Sequence, residues 1–177
     1  MNQMDFKIKN KISIISALFL SILQIVLLKE VFQLGIAELF GVSNSLFNFS
    51  FPVFSYYAEP VASISIFGLV LVYSAPYIYL ISSVEIASFF LKKIPQGKGR
   101  FFLLIFILIQ VGYLLINIFY SAVILILNPG IQHDWIALSL YLGFDQSERF
   151  IFAFGVIFLF VFYLNMSTKR VIKYINY

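Results

Sequence analysis

Long apolar runs, separated by short charged clusters, dominate the pattern of this sequence. Each run holds at most one charged residue over 15 residues or more. A bilayer-crossing α-helix needs about 20 predominantly apolar residues. The runs therefore predict four transmembrane helices, at about 12–28, 61–91, 101–127 and 150–167.

Charged or helix-breaking residues mark the predicted ends of these helices. The first run stops at Lys29-Glu30 and the second at Lys92-Lys93. The third is followed by Asn128-Pro129-Gly130, where the residue before proline avoids the α conformation and glycine permits a turn. No repeat or linker interrupts the series, so residues 1–177 are predicted to form a single transmembrane domain.

Composition supports lipid as the solvent of this chain. Hydrophobic residues make up 62% of it and charged residues 11%, whereas a soluble domain carries about a quarter of charged residues. The net charge of +4 comes from lysines and arginines placed between apolar runs, which argues against nucleic acid as a partner. The sequence thus predicts an all-α integral membrane protein whose first partner is the lipid bilayer.

The basic residues predict the orientation of the four helices. With the amino terminus inside, ten of the twelve lysines and arginines fall on the cytoplasmic side, and both termini are cytoplasmic. The plasma or inner membrane is the expected location. The ten residues are Lys7, Lys9, Lys11, Lys92, Lys93, Lys98, Arg100, Lys169, Arg170 and Lys173.

Both predicted outer loops are amphipathic rather than hydrophilic. Glu30 to Leu39 reads as a short helix lying in the membrane interface, and residues 46–51 alternate apolar and polar side chains, which favours an extended segment. In the second loop, residues 133–138 are again amphipathic, with Trp135 suited to the headgroup level. We expect both loops to fold back onto the membrane surface or onto a partner.

A row of small residues on the second helix predicts a helix-packing seam. Close approach of two backbones in a membrane requires small side chains at the contact. The seam is expected to face the third helix or another protomer. It consists of Ser65, Gly68, Ala75 and Ser82.

Polar side chains form a stripe about 100° wide on the third helix. Lipid cannot bond amide groups, so the stripe should face other helices or a wet cavity. Bonding between helices is the commoner role, and lining of a substrate path is the alternative. The stripe consists of Gln110, Tyr113, Asn117, Tyr120 and Ser121.

Glu85 is the one acidic residue inside the second apolar run. A carboxylate in the bilayer often lines a pathway or meets a charged partner. Glu85 is also about two turns from Lys92 and Lys93, so a simple pairing with them at the interface is the other interpretation. His133, the one histidine, is most simply a surface residue.

The sequence predicts no catalytic, cofactor or metal site. A single histidine and no cysteine exclude bis-histidine haem, the common zinc-protease motif and thiolate metal sites. The favoured hypothesis is a non-catalytic membrane protein that acts through association, as a subunit of a membrane complex or as a self-assembling helper. The alternatives are a small channel or transporter subunit, with Glu85, Gln110 and Asn117 on an oligomeric path, and, less favoured, an enzyme acting on lipid or peptide.

Overall fold

A computed structural model describes residues 3–41, 45–50, 53–58, 64–127 and 134–175 of the chain. All the long elements are helices. Their bounds are α1 Gln3–Leu23, a π-turn Gln24–Leu28, α2 Lys29–Leu39, α3 Ile66–Lys93, α4 Lys98–Leu127, α5 Asp134–Tyr141 and α6 Gln146–Ile175. His133 and Asn128-Pro129-Gly130, for which the sequence predicts a surface residue and a helix end, lie outside the described residues.

Four of the helical stretches are long and apolar enough to cross a membrane. They are Lys11–Leu39, Ile66–Lys93, Lys98–Leu127 and Gln146–Tyr174. A 28-residue helix is about 42 Å long, against a hydrocarbon core of about 30 Å, so each has residues to spare for tilting or for reaching the interface. The predicted four-helix architecture is therefore confirmed at the level of helix number, length and apolarity.

The first of these stretches is longer than the predicted helix at 12–28. Lys29-Glu30 does not end it, because the helix continues through the π-turn into α2 as far as Leu39. The predicted short helix at Glu30–Leu39 is thus the second half of the first span. Lys29 and Glu30 are buried, at 9% and 4% exposure.

The π-turn explains how both halves of this helix bury one side. At about 100° per residue, an unbroken α-helix would place Gln33 about 160° from the buried Ala17. A π-turn accommodates one extra residue, which brings that angle down to about 60°. Gln33 and Ala37 therefore face the same side of the bundle as Ala17 and Ser21, all four being buried.

The other predicted boundaries also move. α3 begins at Ile66 rather than Val61, because Ser65 is extended and caps the helix by accepting a bond from Gly68 N (3.1 Å). α6 spans Gln146–Ile175 and so exceeds the predicted 150–167 at both ends. Asp145 and Glu148 form a reciprocal capping box at its start, each side chain accepting from the other's backbone N–H at 2.8 Å.

α4 is the central helix of the bundle. α1 packs against it on one side, and α3 and α6 pack on others, while α2 packs mainly against α3. The shared core includes Leu114 and Leu125 of α4, Leu80 of α3 and Ala153 of α6, all fully buried. In lipid such contacts stabilise through close packing rather than through removal of water.

The first connecting segment contains a β-hairpin. β1 Ser45–Ser50 pairs antiparallel with β2 Val53–Ala58, with Ser45 opposite Ala58 and Ser50 opposite Val53. The alternation at 46–51 correctly predicts this extended segment as far as Ser50, and Phe51 lies outside the described residues. β2 lies next to α2. The architecture is thus a helical bundle with one small hairpin beside it.

Candidate functional site

A buried group of charged and polar side chains joins α2 to α5. Lys29 and Glu30 form an ion pair on α2, with their side chains 11% and 5% exposed. Such residues are costly inside a membrane protein and are found where a partner or a function holds them. Oε2 of Glu30 receives no hydrogen bond from any described residue. We call Lys29, Glu30, Gln33 and Asp134 the charged cluster.

Asp134, the first residue of α5, completes the charged cluster. Gln33 donates a hydrogen bond from its Nε2 to Oδ1 of Asp134 at 3.0 Å. Burial raises the pKa of Asp134 to about 7, and the negative charge of Glu30 adds to this. The Gln33 hydrogen bond and the positive charge of Lys29 act in the opposite direction. The Asp134 carboxyl therefore titrates near neutral pH.

The rest of α5 fixes Asp134 in place. Trp135 is 5% exposed and lies between Tyr77 of α3 and Phe152 of α6, with ring centroids 5.2 Å and 6.0 Å away. Ala137 and Leu138 pack against Leu69 and Tyr73 in the same region. The expectation that this loop folds onto the membrane surface or a partner is therefore corrected for residues 135–139, which are buried against the chain's own helices.

A hydrogen-bonded group at the α3–α4 contact lies next to the charged cluster. Tyr77 donates to Oδ1 of Asn117 at 3.1 Å, and its hydroxyl is also 3.1 Å from Oγ of Ser121. Asn117 donates from Nδ2 to the Tyr113 hydroxyl at 2.9 Å, and Ser121 bonds to Oδ1 of Asn117 at 3.0 Å. This group, which we call the tyrosine–asparagine network, ties α3 to α4 within one chain.

Further along the bundle, Gln24 joins three helices. The residue opens the π-turn, and its Oε1 accepts from Ser83 Oγ of α3 at 2.6 Å and from Gln110 Nε2 of α4 at 3.3 Å. π-turns often occur at functional positions. Oε1 of Gln110 and the hydroxyl of Ser21 are buried and find no partner among the described side chains. The contact between α1, α3 and α4 is therefore polar at this depth.

Glu85 pairs with a residue that the sequence does not suggest. Its two carboxylate oxygens accept from Nη1 and Nη2 of Arg170 on α6, at 2.6 and 3.0 Å. Of the two neighbouring lysines considered as partners, Lys93 instead lies 4.2 Å above the Phe89 ring. A bidentate guanidinium–carboxylate pair thus links the C-terminal parts of α3 and α6.

The structure places the other predicted site residues as follows. Within the polar stripe, Gln110 and Ser121 are buried and Tyr113 and Asn117 partly so, whereas Tyr120 is 56% exposed. Within the small-residue seam, Ser65 caps α3, Ala75 is buried and Ser82 is exposed. Gly68 faces the end of α2 rather than α4, because an added Cβ would lie 2.8 Å from Cδ1 of Phe40.

The charged cluster is not predicted from the sequence. Lys29-Glu30 resembles the charged end of a span, and Asp134 lies in a connection that reads as a surface loop. A signal was nevertheless present, since the ten residues after Lys29-Glu30 remain amphipathic and contain no breaker before Gly41 besides Gly35. Comparison of the chain with protein-family models, curated proteins and solved structures gives no match.

Proposed function

We propose that this chain is a non-catalytic, multi-pass membrane protein that acts by associating with another transmembrane helix through the outer face of α6. A second copy of the chain is the simplest such partner. The proposal rests on a ridge of phenylalanines beside an open glycine on that face. The ridge consists of Phe150, Phe154, Phe158 and Phe162.

The ridge has the geometry that helix packing uses. Its members are four residues apart, which is the spacing of the commonest packing ridge, and each is between 49% and 72% exposed. The Phe150 and Phe154 rings are 4.7 Å apart between centroids. Beside them, an added Cβ on Gly155 would meet no atom within 4 Å, so the face offers a shallow notch next to the ridge.

The polar residues of α4 also favour association over an oligomeric pore. Gln110, Tyr113 and Asn117 bond to neighbours within the chain, which occupies groups that a pore would turn towards its axis. These bonds support the interhelical role that the sequence analysis favours for the stripe. The apolar face of α6 is what remains for a partner.

Native mass spectrometry of the chain in lipid nanodiscs tests the association. We expect an assembly heavier than the 20.4 kDa chain, and Gly155→Leu should return it to the monomer mass by filling the notch. Gly112→Leu is the matched control, because its added Cβ also meets no atom within 4 Å but lies on α4. A monomer for the unmodified chain, with no partner co-purifying from mild detergent, would refute the proposal.

In the proposed orientation the chain lies in the plasma or inner membrane, with both termini in the cytoplasm. It is supported by the excess of lysine and arginine at one end of the bundle. Because the chain has no cysteine, Gln96→Cys in the exposed α3–α4 connection provides a single labelling site. Labelling by a membrane-impermeant reagent only after the cells are opened is expected. Labelling of intact cells would reverse the orientation.

A second candidate function, transport of a small ion, is favoured by one observation. The charged cluster, the tyrosine–asparagine network and the Gln24 contact follow one another along the interior of a single chain. Buried ionisable residues often mark ion pathways. An ion flux into proteoliposomes that falls with Asn117→Leu and with Lys29→Gln would favour this function. Equal flux in the unmodified chain and both variants would exclude a path along these buried polar residues.

A further inference from the structure

The charged cluster carries more negative than positive charge. Lys29 contributes one positive charge, and Glu30 and Asp134 contribute two negative charges when both are ionised. Glu30 is the direct ion-pair partner of Lys29. Asp134, in contrast, is held by the neutral amide of Gln33. One carboxylate is therefore left without a formal counter-charge in a partly buried place, where an isolated charge is less favourable than in water.

We propose that the charged cluster is a proton-binding site, in which Asp134 takes up one proton that neutralises the cluster. This inference stands apart from the proposed association through α6. The carboxyl group of Asp134 gains one O–H bond at Oδ2 from a solvent proton, while Oδ1 continues to accept from Gln33. No other bond is made or broken.

The unpaired oxygen of Glu30 shows that the charged cluster lacks a hydrogen-bond donor. Glu30 is 4% exposed, and its Oε2 receives no hydrogen bond within the described part of the chain. A buried carboxylate oxygen ordinarily has a donor. A protonated carboxyl group is a donor that the charged cluster can itself supply.

The surroundings of Asp134 on α2, α3 and α4 agree with this assignment. α2 presents Lys29, Glu30 and Gln33, and α3 presents the Tyr77 hydroxyl, which bonds to Asn117. α4 presents Tyr113, which interacts with Lys29. Burial raises the pKa of Asp134 to about 7, so the proton is exchanged near neutral pH. Lys29 is thus the one cation among these groups, and its charge is balanced by Glu30.

The fluorescence of Trp135 can report the protonation of Asp134. Trp135 is the one tryptophan of the chain and directly follows Asp134, so intrinsic fluorescence reports on this site. We would record its emission between about pH 5 and pH 9 in nanodiscs of zwitterionic lipid, whose headgroups do not titrate in this range. The expected result is one transition with a midpoint near 7, which a pH-independent emission would contradict.

Isosteric variants assign the transition. Asp134→Asn should abolish it while keeping the acceptor for Gln33, and Glu30→Gln should move the midpoint to lower pH, because it removes a negative neighbour and frees Lys29 to pair with Asp134. Glu38→Gln, an exposed acid on the same helix, should leave the midpoint unchanged.

Two further outcomes would overturn the proposal. A transition that persists in Asp134→Asn assigns the proton elsewhere. A midpoint that shifts with sodium concentration at constant ionic strength assigns the site to a metal cation instead. Infrared spectra over the same pH series give a second readout that needs no variant to fold, since a protonated carboxyl band must disappear as the emission changes.

Discussion

Removing one hydroxyl from the tyrosine–asparagine network should weaken the bundle by a small and calculable amount. Tyr77→Phe deletes two contacts of 3.1 Å, to Asn117 and Ser121, and leaves the ring in place. Interhelical hydrogen bonds in membrane proteins contribute about 0.6 kcal/mol each, so the expected loss is about 1 kcal/mol. The loss stays small because Ser121 and Asn117 remain bonded to each other.

Replacing Asn117, which bonds to three other side chains of the same network, should lower stability more than Tyr77→Phe does. Asn117→Leu removes the acceptor of Tyr77 and Ser121 and the donor to Tyr113, and it leaves partly buried hydroxyl groups to find other partners. Three lost bonds at about 0.6 kcal/mol each, together with part of the desolvation penalty, lower the free energy of unfolding by about 2–3 kcal/mol. The two variants should therefore differ by about a factor of two in free energy.

Reversible unfolding in mixed lipid–detergent micelles, followed by circular dichroism, measures both losses. Tyr79→Phe is the control, since Tyr79 lies two residues along α3 and keeps its ring contact with Phe32 (5.5 Å between centroids). An Asn117→Leu variant as stable as the unmodified chain would refute this assignment of bonds. A larger loss of stability for Tyr77→Phe than for Asn117→Leu would refute it equally.

Two further substitutions test other contacts by the same unfolding assay. Gly68→Ala should lower stability by about 1 kcal/mol, because overpacking against Phe40 at 2.8 Å outweighs the better helix propensity of alanine. Gly155→Ala should be neutral or stabilising, because its added Cβ meets no atom within 4 Å. The reverse order of stability would refute the assigned contact between Gly68 and Phe40. A double-mutant cycle on Glu85→Gln and Arg170→Gln should give a coupling of about 0.5–1 kcal/mol, small because both side chains are more than a third exposed, and a coupling of zero would contradict the bidentate pair.

The helical architecture could be predicted because lipid imposes few solutions. A backbone in hydrocarbon must satisfy its own hydrogen bonds, so long apolar runs become helices. For the same reason Gln110 and Asn117 are predicted to face other helices, as they do in the structure. Alternation of polar and apolar side chains was likewise sufficient for β1 Ser45–Ser50.

The charged cluster could not be predicted, because it depends on helix register and on tertiary contact. The π-turn consists of Gln24 and four aliphatic residues, so hydropathy carries no trace of it, yet it decides that Lys29 and Glu30 face inwards. The partner of Glu85 was missed for a similar reason. Lys92 and Lys93 are near it in sequence, but the packing of α6 brings Arg170 to it from 85 positions away.

The packing of the first helix has a consequence for how the chain is made. α1 packs mainly against α4, which begins at Lys98, whereas α2 packs mainly against α3, which precedes α4 in the chain. During synthesis the α2–α3 hairpin can thus form before α4 is available to α1, and Gln24 can then accept from Ser83 of α3 but not yet from Gln110 of α4. A ribosome that stalls before residue 98 would therefore leave α1 without its main packing surface, and membrane quality control could recognise such a helix as part of an unfinished protein.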